Sequence, residues 1–258
     1  GLANYMNDES TLTLTLTGLG LLLLVIYGWF SYVVRESEGG LYDDQVDMSF
    51  RWGMAWFIFS EVMFFAAFFG ALYYARELSL PWLAGDGSGV STNQELWPTF
   101  ENVWPSNGPA NYGGDFVVMK AAGIPALNTI ILLISGLTVT WAHHGLKEGK
   151  RNQLILGLIA TVLLGFIFVG FQAYEYSHAY NDLNLKMSSG IYGSTFYMLT
   201  GFHGFHVTLG AIMLTVILFR CISGHFTNEN HFGFEAVAWY WHFVDVVWLG
   251  LFVFVYWL

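Results

Sequence analysis

Apolar residues in this chain gather into six long runs, each bounded by short clusters of charged or turn-forming residues. The runs cover about residues 12–34, 50–78, 122–143, 154–176, 190–219 and 232–258. A hydrocarbon core is crossed by ~20 residues of helix, and only helices or closed barrels satisfy every backbone group there. The pattern therefore predicts an all-α, polytopic transmembrane helix bundle of six spans, forming one transmembrane domain over residues 1–258. The first run opens on an alternation of threonine and leucine that would by itself suit a strand. The unbroken apolar block Gly18–Trp29 that follows argues for a helix instead. The second run is longer than a bilayer needs, so tilt or a projecting end is expected. Residues 80–119, rich in Gly, Pro, Asn and Trp, read as a long extramembrane loop, ordered only if it packs on something.

The sixth run carries the clearest polar pattern. Glu235, Ala238, His242, Asp245 and Leu249 recur at spacings of 3, 4, 3 and 4, which places them on one stripe of a helix. Ionisable groups are costly in hydrocarbon, so this stripe is expected to face protein. Partner groups then have to exist on other spans.

Composition agrees with the pattern. The chain is 55% hydrophobic, 19% aromatic and only 11% charged, against about 25% charged in a soluble domain. Its net charge of −10 is carried mostly by the connections, and no basic patch exists to suggest a nucleic-acid partner. The single cysteine, Cys221, excludes an internal disulfide and any multi-cysteine metal centre. No cleavable signal peptide is visible, and the chain starts at Gly1, which suggests a processed or incomplete start. Lysines and arginines set the orientation. Arg35, Arg51, Lys147, Lys150, Arg151 and Arg220 flank one set of connections, and only Arg76, Lys120 and Lys186 flank the other. The first side is expected to be cytoplasmic, or its mitochondrial equivalent, with both termini outside.

Glu61 lies about 11 residues into the second run, roughly 17 Å deep at 1.5 Å per residue. It reads either as a protonated carboxyl bonded to a neighbouring helix or as a proton-handling group. His203 and His206 lie halfway along the fifth run, at the depth that an antiparallel sixth helix gives Asp245 and His242. A pairing of one of these histidines with Asp245 or His242 is expected, aided by the close approach that Gly201, Gly204 and Gly210 permit. Metal chemistry finds little support. Glu175-x-x-His178 has the form of half a di-iron site but lacks a second copy within a span, and it falls at a membrane edge. Haem ligation by His203, His206 or His242 is less favoured than helix–helix bonding. His143 and His144 read as a polar helix end at the headgroups, and Arg220 as a side chain snorkelling to a phosphate. Trp29, Trp52, Trp56 and Trp141 read as interfacial aromatics. No metal ligand set and no catalytic residue are expected.

Several blocks carry a family resemblance: VVRES at the end of the first run, SEVMFF around Glu61, WAHHGLKEG, GSTFYMLTGFHGFHV and HFGFEAVAWYWHFVDVVWL. Together they closely resemble subunit III of the haem-copper cytochrome c oxidases, over almost all of the chain from about Leu12. The resemblance implies a non-redox core subunit of a terminal respiratory oxidase, in which electrons pass from cytochrome c to oxygen and protons are pumped. It implies haem and copper in partner subunits and none bound by this chain. It implies subunit I as the main contact, subunit II as a further partner, and structural phospholipids held in a cleft between the N-terminal helix region and the remaining helices. Glu61 then corresponds to the family's buried glutamate with a proton-linked role, Arg220 to a lipid-headgroup ligand, and Trp29 and Phe57 to residues lining acyl chains. The family normally has seven spans, so the segment before Leu12 looks like the connection after a missing first helix. The long 80–119 loop favours a bacterial cytoplasmic membrane over a mitochondrial inner membrane. Two other classes stand beside this reading: a proton-linked membrane transporter or channel subunit, and a self-sufficient membrane redox enzyme. The first would often show internal repeats, which are not found; visible haem bands in the isolated chain would mark the second.

Overall fold

A computed structural model describes residues 12–257; the segment read above as following a missing helix lies outside the described residues. Among the described residues, six long helices are present where six apolar runs predict them. They are α1 (Thr13–Glu38), α2 (Asp44–Tyr74), α3 (Ile124–Lys147), α4 (Arg151–Asn181), α5 (Gly190–Ser223) and α6 (Phe232–Leu251). All are long and apolar enough to cross a membrane. Most outrun their apolar cores, because a helix continues into the headgroup region as long as its polar ends find water or caps. α2 is prolonged by a π-helical turn, Ala75–Ser79, and a one-turn helix, Leu80–Leu83, so the expected projecting end is present. α6 likewise ends in a π-helical stretch, Phe252–Trp257.

The chain divides into a unit ending at Trp52 and a unit from Gly53 onward. In the first, no residue of α1 is buried. The α1–α2 connection is built locally. Tyr42 donates its hydroxyl hydrogen to Glu36 Oε2 at 2.9 Å, and its ring meets Phe50 at 5.3 Å. Asp43 Oδ1 accepts the Val46 N–H at 2.9 Å, satisfying one of the open donors at the start of α2.

In the second unit, α3 to α6 pack antiparallel in sequence order, and α6 closes back on α3. Small residues set the spacing. Gly157 of α4 leaves no room for a Cβ against Ala142 and the Thr138 carbonyl of α3, and Thr138 and Thr161 share a hydroxyl hydrogen bond of 2.8 Å across the same seam. Without a hydrophobic drive between helices in lipid, such close packing and interhelical bonds supply the cohesion. The centre is Trp241 of α6, which is fully buried. Its ring fills the room left by Gly165 of α4 and Gly210 of α5, and its Nε1–H donates to Ser135 Oγ of α3 at 2.9 Å. Trp248, two turns further on, donates to Thr129 Oγ1 of α3 at 2.9 Å.

The 80–119 loop is ordered because it docks on the α4–α5 connection. Asn184 donates to the carbonyls of Gly113 and Asp115, both at 3.0 Å, and the Tyr192 N–H reaches the Ser106 carbonyl at 3.3 Å. Phe116 stacks on Tyr192 at 5.6 Å. Within the loop lies a further short helix, Val90–Leu96.

Candidate functional site

Polar side chains gather at several places among the helices from Gly53 onward. The first joins α2 to α5. His206 Nε2 stands 2.9 Å from Glu61 Oε2, and His206 Nδ1 is 2.6 Å from the Phe202 carbonyl. A carbonyl oxygen only accepts, so Nδ1 carries a hydrogen. The Nε2–Oε2 contact then holds one shared proton, as carboxylic acid against imidazole or as carboxylate against imidazolium. The pair is nearly enclosed: the side chains are 9% and 21% exposed for His206 and Glu61. Phe65 meets the imidazole edge-on at 5.1 Å, and Tyr240 stacks on it at 6.3 Å. Tyr240 in turn stacks on Phe57 at 6.3 Å, which places Phe57 at the α2–α6 contact with 45% of its surface still open.

The second group joins α6 to α3. Asp245 is buried, its Oδ2 lies 3.5 Å from His242 Nδ1, and its carboxylate fills the space where Gly136 of α3 lacks a Cβ. His242 Nε2 is 3.2 Å from Thr140 Oγ1, while the ring remains partly exposed. The predicted stripe thus faces protein through Glu235, Ala238 and Asp245. Its rim at His242 and Leu249 reaches the surface.

These contacts correct the expected pairing. Neither histidine of α5 takes Asp245 or His242 as its hydrogen-bond partner. His206 turns to Glu61, and His203, fully buried, donates from Nε2 to the Val244 carbonyl at 3.1 Å. The physical reason is rotation about α5. His203 lies against Trp248 at 5.0 Å and edge-on to Phe168 at 5.7 Å, so its ring is wedged in the aromatic core. Of the three glycines expected to bring α5 to α6, only Gly210 does so. Gly204 lies against Gln172 and Gly201 near Tyr176, both on α4.

The third group lies where α3 ends and α6 begins. Glu235 Oε1 is 3.1 Å from His231 Nε2 and 3.6 Å from His143 Nε2. His143 is therefore more than a solvated helix end, because its ring is stacked on Phe234 at 5.3 Å. His144, its neighbour, is exposed.

Glu175 also departs from expectation. α4 runs to Asn181, so Glu175 lies inside the helix and is fully buried, with Oε1 accepting the Tyr256 hydroxyl hydrogen at 2.6 Å. His178 points elsewhere, to Asp182 at 2.6 Å. Arg220, at the end of α5, lays its guanidinium over the Phe226 ring at 4.4 Å, and Trp29, stacked on Phe30 at 5.7 Å, is 66% exposed.

Comparison with known proteins identifies the setting of these groups. The family model for cytochrome c oxidase subunit III matches residues 1–86 and 93–258. The chain is 46% identical to cytochrome c oxidase subunit 3 of Chondrus crispus over 239 residues, 92% of this chain and 77% of that protein. Over its full length it is 45% identical to the Carassius auratus protein and 44% identical to the Gadus morhua protein, covering 88% of each. The chain belongs to the cytochrome c oxidase subunit III family.

As a subunit III it is a multi-pass membrane component of cytochrome c oxidase, part of an oxidoreductase complex with other oxidase subunits. Membership of this family does not by itself imply a redox centre in the chain. The transporter and self-sufficient redox readings are set aside by it. Sequence reasoning located Glu61, His206 and Asp245 but missed their partners. The glycine at 136 and the carbonyl of Val244 carry no chemical signal in a sequence, and Glu175, near the end of the 154–176 run, gives no sign there of its bond to Tyr256.

Proposed function

We propose that this subunit III is the non-redox buttress of the oxidase, packing mainly on subunit I with subunit II nearby, and that it aids proton uptake through Glu61. The observation that carries the reading is the Glu61–His206 contact. A carboxyl sunk among aromatic rings and sharing a proton with an imidazole is a group that accepts and releases protons without carrying electrons. The histidines of α5 are committed to helix contacts: His206 to Glu61 and the Phe202 carbonyl, His203 to the Val244 carbonyl. Helix cohesion in place of haem ligation is what these bonds supply, and the haem and copper of the complex then belong to the partner subunits.

Structural phospholipid is the second part of the proposal. Arg220, half-buried at the end of α5, has its guanidinium over Phe226 at one membrane edge, the arrangement that suits a phosphate headgroup. Trp29 and Phe57 offer open aromatic surface to acyl chains. The six-to-three distribution of lysine and arginine puts the Arg220 edge inward and both chain ends outward, in a bacterial cytoplasmic or mitochondrial inner membrane.

Removing this subunit from the purified oxidase tests the whole reading. Haem and copper per complex should stay constant while proton uptake slows and activity decays faster during turnover. Loss of haem or copper in step with the subunit would overturn it.

A further inference from the structure

The cluster at the α3–α6 edge has a property that helix cohesion does not explain. His143 Nε2 and His231 Nε2 are both buried, and neither has a hydrogen-bond partner. Both face Glu235 Oε1, at 3.6 Å and 3.1 Å, and all three ligand atoms lie within 4.8 Å of one another. The tautomer of His231 is fixed from behind. Its Nδ1 is 3.0 Å from the Thr227 carbonyl, which only accepts, so Nδ1 carries the hydrogen and Nε2 of the neutral ring presents a lone pair. Two imidazole nitrogens and a carboxylate oxygen therefore converge at one place, and the two nitrogens are left without a hydrogen-bond partner.

A single cation can be held by all three at once. Zinc binds histidine nitrogen at about 2.0–2.1 Å and carboxylate oxygen at about 2.0–2.2 Å in a tetrahedron. The edges of such a tetrahedron are roughly 3.4 Å, and the two measured edges bracket that length. Two imidazoles and a carboxylate are a ligand set that borderline divalent metals prefer. The hydrogen bond from His231 to a backbone carbonyl is the outer support that metal-bound histidines use.

The scaffold holds the ligands before any ion arrives. His231 and Glu235 are four residues apart, and the Glu235 N–H bonds the His231 carbonyl at 3.2 Å, so both side chains rise from the first turn of α6. The His143 ring is fixed between Phe234, stacked at 5.3 Å, and the His231 ring, edge-on at 5.5 Å. The cluster sits at the end of α3 rather than mid-span, and the His143 side chain keeps 22% of its surface open for entry.

We propose that His143, His231 and Glu235 form a zinc site that clasps the end of α3 to the start of α6. Zinc is redox-inert, so the site adds no electron carrier; it revises the expectation that this chain holds no metal.

The test uses the assembled oxidase, dialysed against chelator and titrated with zinc chloride, with bound zinc counted by mass spectrometry. The unaltered complex should bind one zinc more tightly than the complex carrying His231→Gln, by about 100-fold or more, since loss of a mere outer-shell partner already costs 10–100-fold. His144→Gln, next to the site but exposed, should leave that zinc unchanged. Equal binding in the unaltered and His231→Gln complexes overturns the proposal, as does an equal loss in His144→Gln. Should His231→Gln fail to assemble, His143→Gln and a zinc-edge anomalous map of the unaltered complex decide the matter. A peak between the three residues supports the site; its absence after zinc loading refutes it.

Discussion

His206 presents Nε2 to Glu61 Oε2 at 2.9 Å while its Nδ1 is tied to its own helix at Phe202. The imidazole is thus oriented by α5 and addressed to α2, and the carboxyl has a fixed partner rather than a solvent shell. Glu61→Gln keeps the volume and a hydrogen bond to Nε2 but removes the ionisable group. The oxidase carrying it is expected to assemble at normal yield and take up protons more slowly, as read by pH-indicator kinetics in vesicles. Loss of assembly would make the carboxyl structural. Glu61→Ala, by contrast, strands His206 and should cost about 1–3 kcal/mol of thermal stability.

Asp245 occupies the space that Gly136 leaves open. Gly136→Ala is therefore expected to push α3 from α6 and destabilise the complex by about 1–3 kcal/mol, as overpacking does. Asp245→Asn, of nearly the same size, should be milder than Asp245→Leu, which also removes the contact to His242. Calorimetry of the purified complex checks the loss in Gly136→Ala and the order of the two Asp245 variants.

Trp241 touches three other helices at once. Trp241→Ala should cost about 3–5 kcal/mol through the cavity it leaves. Trp241→Phe keeps most of the ring but leaves Ser135 without its donor, and a smaller loss, about 1–3 kcal/mol, is expected. If both variants melt like the unaltered protein, the indole is not the keystone described.

Arg220→Ala removes the guanidinium at the end of α5. The complex should retain fewer phospholipids by lipid mass spectrometry. Unchanged lipid content would assign Arg220 to contacts within the protein, among them the Phe226 ring, a contact worth about 0.5–1 kcal/mol.

The sequence made the six helices plain, because hydrocarbon imposes one period and one length on every span. It also marked Glu61, His206 and Asp245, since a charge within an apolar run is visible without coordinates. Partners were harder. Which face of α5 meets α2 depends on rotations set by bulky neighbours such as Trp248 and Phe168, and no spacing rule encodes them. His143 stands far from His231 in the chain, so their convergence with Glu235 emerges only once α6 folds back on α3. The C-terminal ends of α1, α3, α4 and α5 fell short, because polar terminal turns such as Ser177 to Asn181 read as connection when they are still helix.

The indole of Trp241 works as a dowel through the bundle. Because it is lodged against α4 and α5 and hydrogen-bonded to α3, no one of those helices can slide past α6 without dislodging it. The four should therefore respond to a neighbour's push as one stiff plate, passing mechanical load across the membrane rather than absorbing it.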